Sequence, residues 1–203
     1  MGGATLRERQ QERSRADLVE ATLAVIAADG LPAVTIEAIL RESGMARATL
    51  YAHFPGGRDE LLRAAYARAG EELLRLAREA AATASGWRTR ILAFARTMID
   101  FSSSPTLGHF YSVSGPHLMG FRAERGVGSQ GYFDAFRAAL GEAAAAGELV
   151  AGADPDALAI LLTSSLRDAG IAVARGHATA GTLVAAVETL LEGLAARPAA
   201  RPH

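Results

Sequence analysis

The chain of 203 residues contains no cysteine. This excludes disulfides, cysteine-ligated zinc and thiol chemistry. It has no lysine either, so all 21 basic residues are arginine. Charge is nearly balanced, at -1 overall, so a nucleic-acid partner would have to be recognised by locally placed groups rather than by bulk charge. Alternating Val, Ile, Thr and Tyr runs are scarce, which argues against β-structure. The N-terminus is charged and lacks an apolar run, so it does not read as a signal peptide. The longest uncharged stretch, Phe101 to Phe121, is broken throughout by Ser, Gly, Pro and His and does not suit a membrane span. These readings place the protein in the cytoplasm, away from membranes. What is abundant is alanine, in a chain that is half hydrophobic, and this favours helix. The expected fold class is all-α.

The stretch TIEAILRESGMARATLYAHF, Thr35 to Phe54, reads as two short helices with a tight turn between them. Thr35 is a good N-cap because its hydroxyl can accept from a free N–H of the first turn. Ile36, Ile39 and Leu40 give the first helix an apolar face. Ser43-Gly44 ends it, since glycine adopts the left-handed conformation without steric cost. The second helix is expected from about Arg47 to His53, with Leu50 and Phe54 on its core side. Its other side offers Ala48 and Ala52, which permit close approach, beside Arg47, Thr49 and Tyr51. Arginine suits guanine edges or phosphates, and the hydroxyls suit phosphates. That is the pattern of a helix-turn-helix presented to a DNA major groove. The spacing alone also fits a helical hairpin inside a bundle.

Along the rest of the chain, residues 1–11 read as a loose arm bearing Arg7 and Arg9. The first helix is expected from about Glu12 to Ala28, with a core stripe of Leu18, Ala21, Thr22, Val25 and Ile26. Pro55-Gly56-Gly57 makes a turn, and a long helix follows from Arg58 to Ala82. Arg58 opposes the positive end of that helix, which is easier to explain if it faces a phosphate. Further helices are expected at about Trp87–Phe101, Thr106–Val113, Tyr132–Ala146, Pro155–Arg175 and His177–Ala195, with mobility from Gly115 to Gly128. Asp154-Pro155 opens its helix in the usual order of cap, then proline. The last two helices are apolar over much of their circumference, which suggests a partner face. Residues 198–203 are expected to be disordered.

Trp87, Phe94, Met98, Phe101, Phe110, Tyr111, His117, Tyr132 and Phe136 concentrate in the middle third. Each aromatic taken singly reads as core; as a group beside Gly- and Ser-rich segments they are candidates for the lining of an apolar cavity. Arg167 and Asp168 could be a mutual ion pair, a dimer contact or pocket polarity. His109 and His117 lack metal-ligand spacing and any cysteine partner. Ser112 and Ser114 lack the Gly-x-Ser-x-Gly elbow. No glycine-rich phosphate loop follows a strand. No metal, cofactor or catalytic activity is therefore expected.

RADLVEATLAVIAADG, the Thr35–Phe54 stretch and RDELL together resemble the N-terminal domain of the TetR family of bacterial transcriptional regulators. The matching residues include Leu18, Val19, Ala21, Thr22, Val25, Ile26, Gly30, Thr35, Ile39, Gly44, Thr49, Leu50, Tyr51, His53, Phe54 and Leu61. The sequence departs from that pattern at Leu40 and Ser43, where the family usually has alanine. It departs again at Ala46, which replaces the usual capping residue, and at Arg58, which replaces a lysine one residue earlier. The resemblance implies a DNA-binding domain at 1–57, a helical ligand-binding and dimerisation domain at 58–197, and DNA contacts from Thr35, Arg47, Ala48, Thr49, Tyr51, His53 and Arg58. It further implies a homodimer through the last two helices on a near-palindromic double-stranded operator, with a small apolar or aromatic effector releasing a repressor. The alternative is an all-α small-molecule-binding protein with a vestigial DNA-binding domain.

Overall fold

The computed structural model describes residues 5–119 and 126–196. Among these residues there is helix and no strand, apart from one isolated antiparallel bridge between Leu149 and Ala195. α1 spans Leu6–Asp29, α2 Ile36–Ser43, α3 Arg47–His53 and α4 Gly57–Ala82. α5 spans Trp87–Ser102, and the short α6 (Leu107–His109) runs through a π-helical turn, Phe110–Ser114, into α7 (Gly115–Met119). α8 (Val127–Ala145), α9 (Pro155–Ala174) and α10 (Ala180–Gly193) complete the chain.

Several helices differ from the sequence expectation at their ends. α1 begins at Leu6 rather than near Glu12. A capping box explains the early start: Thr5 Oγ1 accepts from Glu8 N, and the Glu8 carboxylate accepts from Thr5 N at 2.7 Å, so two orphan donors of the first turn are satisfied. α8 begins at Val127, five residues before Tyr132, because Gly128 and Gly131 are packing positions inside it. A Cβ at Gly131 would lie 2.2 Å from Leu74 Cδ2, and one at Gly128 would lie 2.7 Å from the Tyr111 hydroxyl. Gly115–Met119, where mobility was expected, is helical; residues 120–125 lie outside the described set, as do 1–4 and the expected disordered tail at 198–203. Asp154 caps α9 as expected, accepting from Asp156 N at 2.9 Å and Ala157 N at 3.1 Å.

Two hydrophobic cores form, and α4 belongs to both. Leu61, Leu62 and Ala65 join Leu18, Ile26, Val34, Ile39, Leu50 and Phe54 in the first. Ala69, Leu73, Leu74 and Ala77 of the same helix join Trp87, Ile91, Phe94, Ile99, Tyr132, Phe136 and Leu140 in the second. The π-turn divides its side chains the same way: Phe110 packs in the first core and Tyr111 in the second. Thr106 Oγ1 donates to Ala27 O at 2.8 Å, tying this segment to the end of α1. At the far end, Val150 N donates to Leu194 O at 3.0 Å and Ala196 N to Glu148 O at 2.8 Å, which fixes α10 to the turn after α8.

α9 and α10 keep apolar residues on the surface. Ile160, Leu161 and Leu190 are 46%, 62% and 57% exposed. By length and composition α9 could also cross a membrane, but it carries Arg167 and Asp168, both exposed.

α6 sits close against the end of α5. A Cβ at Gly108 would lie 2.4 Å from Phe101 O and 2.7 Å from Ser102 C, contacts that only backbone movement could relieve. Gly108→Ala is expected to destabilise the fold by about 1–3 kcal/mol, the usual range for overpacking. Gly181→Ala, on the open face of α10 with nothing within 4 Å, should be neutral or stabilising by up to about 1 kcal/mol. Denaturant unfolding of both variants measures the contrast.

Candidate functional site

α2 and α3 are positioned by their apolar faces and by three local devices. Thr35 Oγ1 accepts from Ala38 N at 3.1 Å, so the expected cap of α2 is made. Gly44 takes the left-handed conformation, φ 67°, and closes α2. Leu50 and Phe54 are fully buried, and the Arg15 guanidinium of α1 lies 4.7 Å above the Phe54 ring, a cation–π contact that clamps the end of α3 to α1. The opposite side of α3 is open: Arg47, Ala48, Tyr51 and Ala52 are exposed, and Thr49 and His53 are half-buried. The Tyr51 ring rests against Gly57, whose φ of 60° lets the chain turn sharply into α4.

Two of the arginines expected to contact DNA are already engaged within the domain. Arg47, the first residue of α3, pairs with Glu37 on α2. Glu37 raises the guanidinium's pKa through their hydrogen bond, and the Glu37 carboxylate lies below its ordinary value through its own backbone N–H and then Arg47. Arg58 donates from Nε to Val34 O at 2.6 Å. Its place at the positive end of α4 is thus explained by a hydrogen bond to the loop before α2, without invoking a phosphate; its outer face remains partly exposed. Ala46 provides no side-chain cap for the first turn of α3.

The second candidate site is a cavity of about 60 Å³ between α4, α5, α8, α9 and the π-turn. Met98, Tyr111 and Tyr132 of the expected set line it, together with Tyr66, Ser112, Pro116, Gly128, Ser129, Thr163, Leu166 and Arg167. The remaining expected residues lie elsewhere. Phe94 and Phe136 are buried behind Tyr132, with ring centroids 5.0 and 6.0 Å from it. Phe101 meets the edge of Tyr111 at 5.7 Å. Phe110 packs in the first core, Trp87 sits at the α5 start beside an open surface groove, and His117 is exposed. Sequence reasoning missed the α9 contribution because Thr163 and Leu166 carry no aromatic signal; Arg167, a charge inside an apolar run, was the one available marker.

Residues 18–65 match the family model described as bacterial regulatory proteins, tetR family. Over those residues the chain carries a helix-turn-helix domain of the TetR type. A TetR-family transcriptional regulator from Pectobacterium atrosepticum superposes with a TM-score of 0.79 at 22% identity, covering 96% of this chain and all of that one. A TetR transcriptional regulator from Chloroflexus aurantiacus gives 0.66 at 22% identity, covering 91% and 95%. The transcriptional regulator FadR from Bacillus subtilis, in complex with stearoyl-CoA, gives 0.65 at 15% identity, covering 87% and 96%. No curated protein matches the sequence.

Against this TetR-type frame the uncapped start of α3 is a local weakness. Ala46 already has the extended backbone of a cap residue, φ -75° and ψ 148°. Ala46→Ser is therefore expected to stabilise the protein by about 0.5–1 kcal/mol, at the low end for N-caps, as a rise in melting temperature. No gain would mean that the hydroxyl does not reach the first-turn N–H groups.

Proposed function

We propose that the protein is a ligand-responsive transcriptional regulator, a cytoplasmic homodimeric repressor released from a near-palindromic operator by a small apolar or aromatic effector. The observation that supports this most is the double membership of α4. One rigid helix carries residues of the DNA-binding core and residues of the core around the cavity. Anything that enlarges the cavity pushes on an element whose first turns hold α1 and α3. The exposed apolar faces of α9 and α10 support a dimer through the last two helices, since contiguous exposed apolar surface marks an interface. Two copies of α3 would then enter major grooves about one turn apart. In this reading Thr35, Arg47, Ala48, Thr49, Tyr51, His53 and Arg58 face DNA, and no residue catalyses a reaction.

The alternative, a binding protein with a vestigial DNA domain, draws on the internal engagement of Arg47 by Glu37 and of Arg58 by Val34. DNA binding decides between them. With DNA from upstream of the protein's own gene, Arg47→Ala is expected to cost about 1–3 kcal/mol and to relax specificity at one position per half-site. Tyr51→Phe should weaken all sequences alike. Arg58→Ala should do so with a salt slope shallower by about one unit. Gel shifts across a salt series measure all three, and wild-type behaviour in every variant would sink the docking geometry.

The switch is tested by filling the cavity from within. Thr163→Phe, from the buried face of α9, should mimic effector and weaken operator binding by roughly 5–150-fold, the usual span of coupling between two sites. Its circular dichroism spectrum should remain helical. Met98→Ala should leave operator affinity within a few-fold. A folded Thr163→Phe protein with unchanged operator affinity would show that the cavity and the DNA site are uncoupled.

A further inference from the structure

Most polar groups around the cavity have their protons committed inside the protein. Thr163 Oγ1 donates to Ala159 O at 2.7 Å, and Tyr132 Oη donates to Phe94 O at 3.3 Å. Ser102 Oγ donates to Met98 O at 2.8 Å. Ser112, 2.9 Å from Ser102 Oγ, must then give its own proton to that oxygen, because a hydroxyl has only one.

Tyr111 is different. It is 8% exposed, yet its hydroxyl has no hydrogen-bond partner among the described residues. Among those residues no fully buried side-chain polar atom lacks a partner, so the Tyr111 oxygen reaches the open space of the cavity instead of being sealed against protein. Its position is fixed. The hydroxyl sits where α4 and α8 cross, 3.2 Å from a Cβ built at Gly70 and 2.7 Å from one built at Gly128. The ring is stacked on Tyr66 at 5.0 Å and braced edge-on by Phe101. Tyr66 also has no hydrogen-bond partner among the described residues, and it lies close enough to Arg167 for the guanidinium to act on its ionisation. Burial pushes both phenols further above their ordinary range, so both are protonated donors at neutral pH. Arg167 stands at the rim, mostly exposed, and among the described residues it pairs only with Asp168, 3.8 Å away. No acidic side chain lines the cavity among the described residues.

The site therefore presents apolar walls (Met98, Leu166, Pro116 and the tyrosine rings), one cation, and the hydroxyls of Tyr111, Tyr66 and Ser129, none of which has a hydrogen-bond partner among the described residues. A hydrocarbon would leave the Tyr111 hydroxyl desolvated without a partner, which is costly. An ammonium would meet Arg167, with no carboxylate among the described residues that line the cavity to offset it. Resting on the reading that this cavity is the effector site, we infer that its ligand is a compact apolar molecule ending in a carboxylate, with the head group held by Tyr111, Tyr66 and Arg167. A carboxylate accepts from all three, and such charge-assisted hydrogen bonds are the strong ones. The volume of about 60 Å³ is well under the roughly 150 Å³ of a cavity that takes one benzene ring, so the body is a short chain of a few carbons.

Three small probes of matched carbon chain separate the head groups: propanoate, 1-propanol and 1-propylamine, titrated calorimetrically into the full-length protein. The acid should bind about ten-fold or more tightly than the alcohol, and the amine should not bind. Arg167→Gln and Tyr111→Phe should each reduce the acid toward the alcohol's affinity while leaving the alcohol within a few-fold; a purely structural role would weaken both probes together. The inference is overturned if the alcohol or amine binds as well as the acid, if neither variant affects the acid, or if none of the three binds. Those failures leave the regulator reading intact, because it is judged by operator affinity of the Thr163→Phe protein. Conversely, an acid preference in a protein whose Thr163→Phe variant binds operator normally would support the ligand class and defeat the regulator reading.

Discussion

The packing of α4 constrains everything else in this molecule. Its 26 residues make a rod of about 39 Å at the helical rise, and its buried positions run from Leu61 to Ala81 without a break. The first few fit a core made by α1, α2 and α3; the rest fit a core made by α5, α8, α9 and α10. Close-packed interiors do not deform smoothly, so the two cores cannot shift independently along a shared helix. Separate small domains on a flexible linker would have offered no such link. Inter-helix ion pairs on the surface, such as Arg68–Glu20 and Arg137–Asp156 at 2.7 Å each, are exposed and contribute little by comparison.

The helix-turn-helix was legible in the sequence because every signal there is local. Thr35 caps, Gly44 terminates, and Leu50 and Phe54 recur at one-turn spacing. The same is true of the Asp154-Pro155 start of α9. Where local signals mislead, glycine is the reason. Gly108, Gly115, Gly128 and Gly131 punctuate the middle third like a loop, but each sits where a neighbour leaves no space for a side chain. In a single sequence, a glycine that permits a turn and a glycine that permits a close helix crossing look alike.

The cavity was only partly legible for a related reason. Aromatic residues announce apolar volume without saying which side of a wall they form. Phe94 and Phe136 are structural support behind Tyr132, and Phe110 belongs to the other core. The polar markers that distinguish this void, Tyr66 and Arg167, lie about a hundred residues apart in sequence and meet only through the packing of α4 and α9 against the π-turn. Likewise the pairing of Arg47 with Glu37 and of Arg58 with Val34 spans elements whose relative placement no local pattern reveals.

The π-turn at Phe110–Ser114 gives the chain a sensitivity of its own. A π-turn holds one residue more than the α-turn it replaces, and successive residues in a helix point about 100° apart. Phe110 and Tyr111, neighbours in sequence, are delivered to different hydrophobic cores by that phasing. Substitutions here change the shape of a contact. Loss or gain of a single residue instead rotates everything downstream to a new face, sending toward one core the side chain shaped for the other. Relatives that diverge through this segment should accordingly vary in residue identity while keeping its length, so that a conserved count of residues, more than any conserved side chain, records how the two halves of the molecule are joined.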